Sequence, residues 1–225
     1  RENSLVQAQL IRIGAEGETV AKTIQPTVWG KFLRYRYLKA DFSDVHQPGL
    51  YKIRYAKSES SVFRIAEDIY DRGVWQPVLE YFLPVQMCHM RVSEKYRVWH
   101  DACHMDDARM ASVGNHIDGY DQRPGLSKYN AGDIVPGVNI GGWHDAGDFD
   151  LRIESQAGEA YILALAYEAF HPDIDVPAID QQRHQVEIHE PDGKNDMLQQ
   201  IENGALTVVR SYQALGRLYR GIICN

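Results

Sequence analysis

The hydrophobic pattern of this 225-residue sequence changes period about one third of the way along. Up to residue 66 the apolar residues come in short runs bounded by turn signals. Beyond Gly73 they recur three and four positions apart. A chain with that change folds as a strand-built part followed by a helix-built part.

In the first part Leu5, Gln7, Gln9, Ile11 and Ile13 share one parity and Val6, Ala8 and Leu10 the other, so both faces carry apolar character. A turn at residues 15–18 precedes Val20 and Thr23. Tyr35, Tyr37 and Leu38 lead into Ala40-Asp41-Phe42. After the Pro48-Gly49 turn, residues 50–55 alternate, and residues 62–65 form the last run. Four or five short strands at this spacing suggest part of a β-sandwich. A complete sandwich needs more, so the module is expected to begin before Arg1.

In the second part Val74, Val78, Tyr81, Phe82 and Val85 predict a first helix, with Pro77 in its first turn and Pro84 kinking or ending it. Residues 114–141 hold six glycines and two prolines and read as a long loop. A second helix spans 152–170, with Ala157, Ala160, Tyr161, Ala164, Leu165 and Tyr167 as its apolar face, and ends at His171-Pro172. After a polar stretch to Gly193, Asn195 or Asp196 caps a third helix that carries Leu198, Ile201, Ala205, Val208, Val209, Tyr212 and Leu215.

Composition narrows the partners. The hydrophobic and charged contents, 44% and 24%, are those of an ordinary soluble globular protein. A net charge of -7 argues against nucleic acid or an anionic membrane surface and is compatible with a neutral polysaccharide. No apolar run approaches the roughly 20 residues that span a bilayer. Arg1-Glu2-Asn3-Ser4 contains no signal-peptide pattern. Three cysteines, Cys88, Cys103 and Cys224, are too few for a disulfide framework, and one disulfide, a metal site or free thiols all stay open on count.

The stretch richest in chemistry is Gly141-Gly142-Trp143-His144-Asp145-Ala146-Gly147-Asp148. It sets two carboxylates three residues apart in a glycine-rich turn, beside a Trp and a His. Two nearby carboxylates raise one another's pKa, and glycine loses the most backbone freedom on folding, so a loop that accepts both costs is a candidate active site. The plainer alternative makes Asp148 a cap for a helix starting near Leu151.

This octapeptide resembles the aspartate signature of glycoside hydrolase family 9, the inverting β-1,4-glucanases. Three further stretches agree in order. Residues 40–45 and 48–51 resemble the end of the immunoglobulin-like module that precedes many such catalytic domains. Ala102-Cys103-His104-Met105-Asp106-Asp107-Ala108 resembles the segment before the aspartate loop. His189-Glu190-Pro191-Asp192-Gly193, with Asp196-Met197-Leu198, resembles the run into a later barrel helix.

The resemblance implies a multi-domain β + α chain: a partial immunoglobulin-like β-sandwich over residues 1–66, then the first part of an (α/α)6 barrel over residues 67–225, incomplete at both ends. It implies inverting hydrolysis of β-1,4-glycosidic bonds in cellulose-like glucans or xyloglucan, in a secreted, periplasmic or cell-surface protein. Asp148 is then the general base and Asp145 orients the water. Inversion also needs a carboxylic acid across the sugar, roughly 6.5–9.5 Å from the base. The family's general-acid glutamate has no matching position here, so this polypeptide alone is expected to hydrolyse little.

The resemblance also implies a structural zinc held by Cys88, Cys103, His104 and His144, a common ligand set for a closed tetrahedral site. The long insert between His104 and His144 departs from the family pattern. It adds His116 as a rival ligand, and His89 and His100 lie near the cysteines. A Cys88–Cys103 disulfide or two buried thiols are the alternatives. Asp106 and Asp107 either orient a ligand His or start a helix. The family often binds calcium, but Asp118, Asp121 and Asp133 follow no recognised loop pattern, so no calcium site is assigned. Trp143 either lines a sugar subsite or anchors the loop from the core. Outside hydrolysis of polymeric glucan, two readings stay open: a non-hydrolytic carbohydrate-binding protein, and an exo-acting glucosidase or glucosaminidase.

Overall fold

The computed structural model describes residues 5–112, 116–117, 120–121, 127–146 and 149–223, with the pairs at 116–117 and 120–121 described by backbone alone. It divides into two compact units, Arg1–Val74 and Trp75–Asn225.

Among its described residues the first unit contains seven strands: β1 (Ala8–Gly14), β2 (Gly17–Ile24), β3 (Thr27–Phe32), β4 (Tyr35–Lys39), β5 (Gly49–Tyr55), β6 (Ser58–Glu59) and β7 (Phe63–Ile65). β1 pairs antiparallel with both β2 and β5, and β5 also takes β6 and β7, giving a five-stranded sheet. Ala8, Leu10, Ile24 and Tyr51 are its buried centre, with Phe42 and Phe63 packed against them. Burying a side chain such as Leu10 contributes about 1.5–3 kcal/mol. The apolar character on both parities of β1 has a local cause. Leu10 and Ile11 are successive residues on opposite faces of β1, and both are buried. The polar surface carries a lattice in which Lys52 and Arg54 each pair with Glu18 and Glu59. Exposed pairs of this kind contribute little each. β3 and β4 pair only with each other, as a separate two-stranded ribbon. Residues 27–32 carry no strand signal in the alternation of the sequence.

The second unit opens with a π turn, Val78–Phe82, closed by the Leu83 N–H bonding to the Val78 carbonyl five residues back. It continues into α1 (Leu83–Gln86), whose first turn holds Pro84. Pro84 follows the π turn directly and sits in the first turn of α1, so the helical backbone continues through it. The wider turn also shifts the face: Leu79 is buried, while Val78 and Phe82 are exposed.

Then follow β8 (Arg91–Glu94), β9 (Arg97–His100), the pair β10 (His116–Ile117) and β11 (Tyr120–Asp121), β12 (Leu151–Arg152), α2 (Ile153–Phe170), β13 (Ala178–Asp180), β14 (Gln185–Glu187), α3 (Asp196–Leu215) and β15 (Gly221–Ile222). A four-stranded sheet in the order β13-β14-β8-β9, with β14 parallel to β8, lies in stretches where the periodicity predicts no strand. Val92, Ile179, Val186 and Ile188 from this sheet meet Met87, Met90 and Trp143 in the main core.

Both long helices form where the periodicity puts them, but neither buries the whole of the expected face, of which Ala160 in α2 is buried. Asn195 caps α3 by accepting the Leu198 N–H at 3.2 Å, an arrangement worth about 1 kcal/mol. The buried side of α3 is then polar: Gln199, Gln200, Asn203, Thr207 and Ser211. Leu198, Val209 and Tyr212 face outward. In α2 the buried residues are Ile153, Gln156 and Ala160, whereas Tyr161 and Leu165 are exposed. Among the described residues no helix is long and apolar enough to cross a membrane.

Candidate functional site

The aspartate loop is reached from both helices and from the end of α1. His144 N donates to the Gln86 carbonyl at 2.9 Å, and Cys88 N donates to the Gly142 carbonyl at 2.9 Å, so residues 142–144 run like a strand beside Met87. On the other side Gly142 N donates to the Asn203 carbonyl at 3.0 Å, and Asn203 Nδ2 returns a bond to the Gly142 carbonyl at 3.0 Å. The polar face of α3 is thereby explained. It supplies partners to a buried loop whose backbone groups would otherwise be unpaired. Gly141 has a φ of +67°, and a Cβ there would sit 2.3 Å from the Asn203 carbonyl oxygen, so only glycine permits the approach.

Trp143 is 1% exposed, and its indole N–H donates to Gln200 Oε1 at 2.7 Å. The sugar-subsite expectation for Trp143 is corrected here. Its ring is buried in the main core, and Trp143 anchors the loop.

Beside this anchor Cys88, Cys103, His104 and His144 converge, with one donor atom from each lying within 4.8 Å of the others. This is a group able to hold a metal ion. The two Sγ atoms are 3.6 Å apart and both thiols are free, so the disulfide alternative does not describe this structure. Two sulfurs held at about 2.3 Å on a tetrahedral ion are about 3.8 Å apart, so the separation suits shared ligation. Cys103 Sγ and His144 Nε2 are 3.1 Å apart.

His104 Nδ1 bonds the Asp107 carboxylate. Asp107 is therefore the orienting carboxylate, and Asp106 is not. Contact with Cys88, then with His100 and His144, holds the Cys103 thiol well below its usual range. Burial pushes the Cys88 thiol far up. His89 is fully buried, its Nδ1 lies 3.0 Å from the Gly141 carbonyl, and burial lowers its pKa to about 4. It braces the loop as a neutral ring and does not join the cluster. His100 places its ring nitrogens against the Asp101 and Val85 carbonyls. The side chain of His116 lies outside the described residues.

Asp145 is positioned by the start of α2. Its N–H donates to the Asp150 carbonyl at 2.9 Å, Arg152 Nε pairs with Oδ2 at 3.1 Å, and Ser155 Oγ reaches Oδ1 at 3.5 Å. Its carboxylate is thus engaged by helix-start groups and is only part-exposed. Glu159, one turn further along α2, has its pKa raised by burial and then by the Asp145 charge. Asp148 lies outside the described residues, as do the side chains of Asp118 and Asp121. Asp133 is used in a local turn, accepting the Asn130 N–H at 2.7 Å.

Solved structures share this arrangement of strands and helices. The crystal structure of GH family 9 endoglucanase J30 superposes with a TM-score of 0.67 at 19% identity, covering 98% of this chain and 38% of that one. A Zn-binding triple mutant of the same endoglucanase gives 0.68 at 20% identity, over 98% and 38% of the two chains. A Bacteroides ovatus GH9 protein gives 0.61 at 17%, over 92% and 35%. This chain has the fold of the matching part of these family 9 endoglucanase structures, 38% of their length.

By sequence it is 30% identical over 130 residues to a cellodextrinase from Butyrivibrio fibrisolvens, 57% of this chain and 20% of that protein. It is 27% identical over 145 residues to endoglucanase D from Acetivibrio thermocellus, 63% of this chain and 20% of that protein. No family model matches the sequence. The chain spans about a fifth of the length of these curated relatives. The resemblance read from the four motifs is borne out by these matches.

Proposed function

We propose that this chain carries the water-activating side of an inverting β-1,4-glucanase. Residues 1–66 form an immunoglobulin-like module, and residues 67–225 form the start of an (α/α)6 barrel. The observation that carries the reading is the aspartate loop, tied to α1, α2 and α3 by buried hydrogen bonds and placed against a four-donor Cys/His cluster.

In this reading Asp148 takes a proton from water on one face of the sugar and Asp145 fixes that water's direction, while Arg152 and Ser155 fix Asp145. A positioned general base contributes about 10²–10⁴-fold to rate. The donor set fits zinc, and four protein ligands leave it no open position, so its contribution is a cross-link. Cys88, Cys103, His104 and His144 hold the turn after α1, the 102–108 loop and the aspartate loop together. Asp107 keeps the His104 ring in place. The substrate is a cellulose-like glucan or its oligosaccharides, met by a secreted, periplasmic or cell-surface protein.

A second reading, carbohydrate binding without hydrolysis, is favoured by one observation: Arg152 and Ser155 already engage both carboxylate oxygens of Asp145. The whole gene product, assayed on soluble β-1,4-glucan with the released anomer followed by NMR, separates the two. Glucanase action releases the α-anomer first, and Asp148→Asn lowers kcat by about 10²–10⁴-fold. Release of the β-anomer, or full turnover by Asp148→Asn, rejects the glucanase mechanism. Binding with no turnover selects the second reading.

A further inference from the structure

Asp150 is a buried carboxylate to which the water-activating reading gives no role. Its side chain is 4% exposed, against 27% for Asp145. Asp150 leads into β12, where successive side chains alternate. Leu151 enters the core with Cys88, Val135 and Val138. Asp150 and Arg152 meet on the other side, where Arg152 Nη2 donates to Asp150 Oδ2 at 3.1 Å. The same guanidinium reaches Asp145, with Nε 3.1 Å from Oδ2. One cation is thus shared by two carboxylates, one buried and one part-exposed.

Arg152 is held at its root as well. It lies opposite Gly221 in the pairing of β12 with β15, and a Cβ at Gly221 would stand 1.9 Å from the Leu151 carbonyl oxygen. The next N–H, that of Ile153, donates to the Arg220 carbonyl at 3.0 Å. A long side chain fixed only at its root keeps many rotamers, and the bond to Asp150 removes that freedom at the far end. Asp150 also grips Asp145 directly, because its carbonyl accepts the Asp145 N–H at 2.9 Å. A buried ion pair is a weak source of stability, since the cost of desolvating two charges offsets their attraction. What this pair supplies is a fixed direction.

We propose that Asp150 is a positioning residue: its carboxylate fixes the Arg152 guanidinium, and that guanidinium aims the Asp145 carboxylate. The consequence for hydrolysis rests on the reading of Asp145 as the group that orients water. Arg152 takes Oδ2 of Asp145 and Ser155 takes Oδ1. An ionised carboxylate accepts at roughly four sites, so these two contacts aim it and leave capacity for the water.

The test is a double-mutant cycle in the whole gene product on soluble β-1,4-glucan. Misplacing a reacting group by roughly 1 Å costs up to about 10²-fold in rate. Asp150→Ala should accordingly lower kcat at least about tenfold, with KM changed less than about twofold. Asp150→Asn keeps an acceptor without the charge and should fall between it and the unsubstituted protein. It also keeps the side-chain shape, so it carries the test should the alanine variant fail to fold. Because Asp150 acts through Arg152, adding either substitution to Arg152→Gln should lower kcat no further. Additive losses, a loss confined to KM, or an unchanged kcat overturns the proposal. So does a lower thermal midpoint with the kcat of the folded protein unchanged, which is the mark of a purely structural role.

A measurement that needs no turnover separates this proposal from the glucanase reading. In the same protein labelled with ¹⁵N-arginine, the Arg152 Nε–Hε signal is the one missing from Arg152→Gln. Its heteronuclear NOE should be that of a rigid group. It should fall in Asp150→Ala and persist in Asp145→Asn, because Asp150 is the anchor and Asp145 is what it aims. That pattern in a protein that turns over no glucan rejects the glucanase reading and supports the proposal. A mobile Arg152 signal in the unsubstituted protein, or one indifferent to Asp150→Ala, overturns the proposal whatever the activity.

Discussion

The Gln156 carboxamide satisfies both backbone polar groups of Trp143: the Trp143 N–H donates to Oε1 at 2.8 Å, and Nε2 donates to the Trp143 carbonyl at 3.0 Å. One side chain thus does for the loop what a neighbouring strand would do. Each buried group left without a partner costs about 1–3 kcal/mol. Gln156→Leu removes two bonds and should lower unfolding free energy by roughly 2–5 kcal/mol. Gln200→Leu removes the indole partner and one weak bond to Met87 Sδ, and should cost less. Urea denaturation of the two variants gives the order directly, and a larger loss in Gln200→Leu would contradict the ranking.

Gly204 lies where α3 crosses the Trp143 ring. A Cβ there would stand 2.7 Å from two ring carbons and 2.9 Å from the Ala160 Cβ. In an exposed helix Gly→Ala gains about 1 kcal/mol. Here overpacking costs typically 1–3 kcal/mol, and the ring cannot retreat because Gln200 and Gln156 hold it. Gly204→Ala should therefore be destabilising, measured as a lower thermal midpoint. A rise in that midpoint would show that the loop can shift.

The Cys/His cluster joins three separate stretches, so its metal should matter to folding. The expected stoichiometry is one zinc per chain by elemental analysis, falling to near zero in Cys103→Ser. Chelation should lower the thermal midpoint by more than about 5 °C, since 1 kcal/mol corresponds to roughly 2–4 °C at this size. Metal-free protein with an unchanged midpoint would remove the cross-linking role. Asp107→Ala should weaken zinc binding by about 10–100-fold without removing a ligand.

Asp196, the first residue of α3, is fully buried. Its Oδ2 accepts the Val176 N–H at 2.9 Å. Burial, followed by the charges of Asp175, Asp192 and Glu80, raises its pKa from 3.8 to about 7. The folded state therefore holds this proton more tightly than the unfolded chain does. Its contribution to stability is present below the unfolded value of 3.8 and is lost as pH climbs to about 7. Asp196→Asn should raise the thermal midpoint at pH 8 and flatten its decline between pH 4 and 7. An unchanged pH profile in that variant would place the titration elsewhere.

Local signals in the sequence were legible where a few neighbouring residues act together. Asn195 caps the helix that Leu198 onward predicts, because a cap needs only its own next turn. The glycines and acids of residues 141–148 marked the loop, and its cysteine and histidine partners were found by composition and likeness. The helix faces were misread for one reason. An apolar stripe at Leu198, Val209 and Tyr212 points to burial only if the helix meets an apolar neighbour, and α3 instead turns Gln200 and Asn203 to a loop with unpaired backbone groups. The sheet of β13, β14, β8 and β9 was missed because its parallel pair joins strands over 90 residues apart. A signal was present in the apolar Val92, Val98, Val186 and Ile188, but such short runs do not separate strand from loop.

By itself the sequence determined the change from strands to helices and the helix start at Asn195, while the four residues able to hold a metal were named by likeness and gathered by the fold. Only the tertiary structure decided that Trp143 is an anchor and not a sugar platform, that Asp107 orients His104, and that two glutamines and an asparagine carry the loop. Periodicity reports which residues share a side of one element. Which side is buried depends on the partner that side meets, and that partner comes from a distant part of the chain.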